Sequence, residues 1–123
     1  MASIIDKHHS NGWKIPDDPI WTPSAWERWK RIKISLAAYA YEFESESILT
    51  DAQFDSLALA INPSISTVED YYRTVEKQRA RRLDKFFRTI FHPDTGMWIH
   101  SHPELDRIAG RYHHTKERLN DSQ

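Results

Sequence analysis

The sequence predicts an all-α fold, a bundle of about four helices, and three observations lead there. Apolar residues recur at helical spacing in four separate stretches, and a helix-start signature precedes most of them. β-branched runs are scarce, and only three glycines occur, which argues against a sandwich or barrel. A length of 123 residues, with 39% hydrophobic and 28% charged, fits one folded domain with a single core. One stretch breaks the helical pattern: Pro93-Asp94-Thr95-Gly96 predicts a turn with short extended flanks, hairpin-like, over 91–100.

Taken in order, residues 1–22 contain Gly12, Pro16 and Pro19 and show no sustained period. They predict an irregular arm whose Trp13, Ile15, Ile20 and Trp21 dock on the body. After Pro23, Ser24-Ala25-Trp26-Glu27 has the form of a capping box, a hydroxyl followed three residues on by a Glu. A helix over about 24–43 follows, with Trp29, Ile32, Leu36, Tyr39 and Phe43 along one face. Thr50-Asp51-Ala52-Gln53 is a second box, and it opens a helix with the stripe Phe54, Leu57, Ala58, Ile61. Asn62-Pro63 ends that helix, because proline cannot continue the ladder. A third box, Ser66-Thr67-Val68-Glu69, predicts the longest helix, about 67–90, with the line Val68, Tyr72, Val75, Leu83, Phe86, Phe87, Ile90. Pro103 begins the last helix, which carries Leu105, Ile108, Ala109 and Tyr112 on one side. The polar residues 117–123 predict a frayed tail.

A net charge of −1 excludes a globally polycationic nucleic-acid binder, so such a role needs a local patch. Absence of cysteine removes disulfides, thiolate metal sites and Cys nucleophiles together, and it suits a reducing compartment. No apolar stretch reaches the length of a signal peptide or a membrane span, so the expected location is cytoplasmic, with no membrane partner.

The local basic excess lies in the third predicted helix. Arg73, Lys77, Arg79, Arg81, Arg82, Lys85 and Arg88 stand there against Glu76 and Asp84. Arg79, Arg81, Arg82 and Lys85 are its candidate phosphate contacts. The alternative is a solvated helix paired with Glu42, Glu44 and Glu46 of the first helix.

The hairpin Tyr41–Asp55 is the second candidate. Asp51 and Asp55 are one turn apart on one helix face, and Asp51 sits where the macrodipole stabilises an anion. Tyr41-Glu42, a gap, then Asp51-Ala52-Gln53-Phe54-Asp55-Ser56-Leu57 resembles the N-terminal helical hairpin (Ia domain) of NAD-dependent DNA ligases in residue type and spacing. Glu42 and Phe54 stand where that family has His and Tyr. The resemblance covers about residues 36–61 and implies nicotinamide-nucleotide (NAD or NMN) binding through Tyr41, Asp51, Phe54 and Asp55. No Lys-x-Asp-Gly adenylation motif accompanies it, so ligase activity is not expected. The alternative is structural, with Tyr41 and Phe54 packing the hairpin and Asp51 capping its second helix.

Five of the seven histidines fall at 92–114. His100-Ser101-His102-Pro103 resembles the core of the JAMM metalloprotease motif, and His113 stands where that family has its Asp ligand. This implies a zinc site of His100, His102 and His113. The alternative is ordinary surface hydrogen bonding, with His113 near a helix C-terminus. Trp13, Trp21, Met97 and Trp98 add residue types that anchor protein interfaces, or that close a small core.

No nucleophile–base pair, glycine-rich phosphate loop or catalytic carboxylate pair stands out. The expected function is therefore that of a small non-enzymatic binding or regulatory protein with a protein or nucleic-acid partner and no obligatory cofactor. The nicotinamide-nucleotide module is the alternative. The whole chain resembles small proteins of bacteriophage genomes.

Overall fold

A computed structural model of the chain describes residues 21–121, with side chains described for 21–116. Four helices form: α1 (Pro23–Glu44), α2 (Asp51–Ala60), α3 (Thr74–Thr89) and α4 (Leu105–Asp121). Short 3-10 turns, Val68–Asp70 and Met97–Ser101, precede α3 and α4, and no strand occurs among the described residues. The predicted all-α class is the observed one. Of the predicted arm, only residues 21–22 lie within the described residues.

The N-cap of α1 lies two residues before the predicted one. Thr22 is the N-cap, its Oγ1 accepting from the Ala25 amide (3.1 Å), and Pro23 occupies the first turn, where its missing N–H costs nothing. The predicted Ser24 cap has another use, since its hydroxyl donates to Asp70 (2.6 Å). Glu27, the expected closing member of the box, is fully buried. α1 ends at Ser45 in the left-handed region (φ 55°). The box at α2 is as predicted, with Thr50 and Gln53 exchanging side chain-to-backbone bonds of 3.1 and 2.9 Å.

The third box does not start a helix. Ser66 Oγ, the hydroxyl of that box, accepts from the Val68 amide only two residues on (3.3 Å) and donates to Asp84 Oδ2 (3.4 Å), while Asp84 also accepts from the Thr67 amide (3.0 Å) and hydroxyl (2.8 Å). The chain instead makes one 3-10 turn, goes extended at Tyr71 and begins α3 at Thr74. Tyr72 (97% exposed) and Val75 (66%) are therefore surface residues and not core, as the apolar line over 67–90 had implied.

Asp84 is one end of a buried ionic staple. Arg31 Nη1 donates to Asp84 Oδ1 (2.7 Å), Nε to Glu27 Oε2 (2.8 Å), and Nη2 to the carbonyls of Asn62 and Ile65 (3.1 Å each). Lys30 Nζ lies 2.9 Å from Glu27 Oε1 and donates to the Ala60 carbonyl (2.6 Å). Two cations thus meet two carboxylates with most polar atoms bonded, the condition under which burial of charge is tolerated. The staple ties α1 to the 60–67 segment and to α3.

The apolar core lies around the second half of α1. Ile34, Ala37, Ala38, Tyr39 and Ala40 are buried against Leu57, Ala58 and Ile61 from the α2 segment and Ile108 and Tyr112 of α4. The predicted face of α1 holds only in part: Tyr39 is buried, Trp29, Ile32 and Leu36 are half-buried, and Phe43 is exposed. α2, α4 and the Met97–Ser101 turn all pack on α1, so its apolar arc is broader than one stripe, and its alanines let neighbours approach closely. The 91–100 segment forms no strand. Its 3-10 turn sends Trp98 and Ile99 into the core beside Phe86, Phe87 and Phe91, so Trp98 is not a surface anchor, while Met97 is exposed. α4 stays helical to Asp121, beyond the point at which its composition predicts fraying.

Candidate functional site

At about 100° per residue, Arg81, Arg82, Lys85 and Arg88 fall within an arc of about 120° on α3. All four are exposed, and none has a hydrogen-bond or ion-pair partner among the described residues. The opposite face carries Ala80, Asp84 and Phe87, all buried. Of the two acidic residues of α3, Asp84 is in the staple and Glu76 borders a cleft on the inner side, so neither neutralises the outer stripe.

Arg79, predicted with this group, is separate from it. Its Nε and Nη2 donate to the two carboxylate oxygens of Glu104 (2.6 and 3.1 Å), a bidentate pair that joins α3 to the start of α4. Lys77 lies 3.7 Å from Glu69. The acidic partners expected for the basic helix also lie elsewhere. Glu42 pairs with His100 (2.9 Å) and Glu44 with His113 (3.3 Å), while Glu46 takes Lys116 (3.1 Å) and the Tyr112 hydroxyl. That leaves the outer face of α3 uncompensated from α1.

The hairpin residues stand at the surface, except for Phe54. Tyr41 is 65% exposed, and Asp51 and Asp55 are exposed as well. Phe54 is half-buried and packs on the core, its Cζ 3.6 Å from where a Cβ on Gly96 would sit. Its ring is thus engaged by the 96 turn.

The three histidines also have separate environments. His100 pairs with Glu42 and lies against the Phe43 ring (4.7 Å), and His113 faces Glu44 and the Tyr39 hydroxyl (3.4 Å). His102 is buried beside Phe86 and Phe87, and its Nδ1 accepts from the Glu104 amide (3.0 Å). Burial lowers its pKa to about 4, the nearby Glu104 opposing that shift, so near neutral pH the ring is uncharged with its proton on Nε2. Among the described residues no group of three or more His, Asp or Glu is placed to hold a metal ion.

A cleft of about 680 Å³ opens on the inner side of α3, between α1, α3 and α4. Arg28 and Arg79 contribute to its walls, and α4 adds Arg107, Arg111 and His114. None of Tyr41, Asp51, Phe54 and Asp55 lines it. Sequence reasoning missed this set, although Arg107, Arg111 and His114 recur at i, i+4 and i+7, a spacing that places them on one helical face. Glu104 is held below the usual carboxylate range. Burial alone would raise it, and the hydrogen bond and charge of Arg79, with Arg107 and His102, outweigh that.

No protein family matches the chain, and no curated protein or solved structure is similar enough to count as a match. No helix among the described residues is long and apolar enough to cross a membrane.

Proposed function

We propose that this protein is a non-enzymatic binding protein that contacts nucleic-acid phosphates through the outer face of α3. One observation carries the reading. Arg81, Arg82, Lys85 and Arg88 are exposed together on one helical face, without a partner among the described residues, while neighbouring cations are consumed in ion pairs. Solvated, uncommitted guanidinium and ammonium groups in a row suit a phosphate backbone, because each contact releases a condensed counterion. Contacts to phosphates carry no sequence information, so the expected binding is sequence-tolerant and electrostatic.

The test is fluorescence anisotropy of a short labelled duplex, titrated at low salt and again at rising salt. Four phosphate contacts give a slope of log K against log salt of about −3 to −4. Reversing Arg81 and Lys85 to Glu should abolish the anisotropy change at the protein concentrations that saturate the native chain. An unchanged titration by that variant would remove α3 from the interface.

A further inference from the structure

The cleft on the other side of α3 has the chemistry of a second, smaller anion site. Its volume, about 680 Å³, is that of pockets that enclose small ligands. Arg107, Arg111 and His114 present one face of α4 to it, and Arg79 approaches from α3. Arg79 is fixed by the two bonds it donates to Glu104, which orient its guanidinium without using all five of its N–H donors. Arg107 Nε is 3.9 Å from the same carboxylate, beyond hydrogen-bond distance. Arg111 and His114 have no charged partner among the described residues.

Two carboxylates line the cleft, Glu104 and Glu76, and the Glu76 charge acts on Arg79. Glu104 is committed to Arg79, and Arg28 to Asp70 (2.6 Å), with Arg28 also resting 5.5 Å from the Tyr71 ring centroid. The remaining excess at the α4 wall is positive. Between the charged walls the lining is apolar, contributed by Ile32, Leu83 and Ile108. Forked donors beside an apolar wall match a ligand with a phosphate at one end and an organic body at the other.

We infer that this cleft binds a small organic phosphate, with Arg107 and Arg111 on the phosphate, Arg79 beside them, and the organic moiety against Ile32 and Leu83. The site is independent of the nucleic-acid reading, since it shares no residue with the outer stripe.

Adenosine diphosphate is a suitable probe, with adenosine as the uncharged control, and the side-chain Nε–Hε NMR signals of arginine in the full chain as readout. Saturable shifts of the Arg107 and Arg111 signals with the diphosphate, and none with adenosine, are the expected result. Arg111→Ala, at an exposed position, should weaken that binding on the order of tenfold or more, the effect of removing a charge-assisted contact. The variant with Arg81 and Lys85 reversed to Glu should keep it. Absence of shifts at millimolar diphosphate, equal shifts with adenosine, or an affinity unchanged by Arg111→Ala would each overturn the assignment.

Discussion

α3 carries two kinds of charge on its two sides. Inward, Asp84 meets Arg31 and Thr67 in a buried, bonded staple. Outward, Arg81, Arg82, Lys85 and Arg88 stand in water without partners among the described residues. The residue types overlap, and the difference lies in what surrounds them. A buried ion is held by geometry and is costly to orphan; an exposed one contributes little to stability and is free to meet a ligand. Inner charges should therefore answer to melting experiments and outer ones to binding experiments.

The largest effect is expected at the staple. Arg31→Ala leaves Asp84 without its cation and Glu27 with Lys30 alone, and should cost about 3–5 kcal/mol of unfolding free energy. Urea denaturation reads this directly, and a loss under about 1 kcal/mol would mean the staple is not the clamp described here.

Acid should act next, through His102. Its folded-state pKa of about 4 lies below the ordinary 6.5. The neutral ring therefore contributes stability that is fully present above pH 6.5 and is lost as pH falls toward 4, about 3 kcal/mol over the window. Glu104, also held low, loses its contribution in the same direction as it protonates below the usual carboxylate range. His102→Gln should flatten the fall in melting temperature between pH 6.5 and 4. An unchanged profile would place the acid sensitivity elsewhere.

The smallest effect concerns the turn after α1. Ser45 occupies a left-handed backbone position (φ 55°) that glycine adopts more readily. Ser45→Gly should stabilise by about 0.5 kcal/mol, visible as a rise of a few degrees in melting temperature.

How much of this was legible in the sequence follows the same inner–outer division. Local signals served well where the chemistry is local. The Thr50–Gln53 box, the Asn62-Pro63 stop and the stripe Leu57, Ala58, Ile61 are all as read. They failed where a side chain had a distant partner. Glu27 and Ser66 look like box residues over four positions, yet Glu27 is taken by the staple through Arg31, and the Ser66 hydroxyl turns to Asp84, 18 residues away. Trp98 looked like a surface anchor because its neighbours are turn residues, and it is core because three phenylalanines surround it. The basic stripe was half legible. Composition revealed the cations, but only the Arg79–Glu104 pair and the pairing of Glu42, Glu44 and Glu46 with α4 and the turn before it showed which cations remain uncommitted. The cleft was not seen, since its arginines come from three separate helices.

The most direct test of the account joins its two halves in one variant. Arg81, Arg82 and Lys85 reversed to Glu should melt within about 0.5 kcal/mol of the native chain, since these positions are exposed surface. In low-salt anisotropy the same variant should fail to bind a labelled duplex that the native chain binds. A variant that binds as well as the native chain would contradict the assignment of the outer face, and one that unfolds would contradict the division between the two faces of α3.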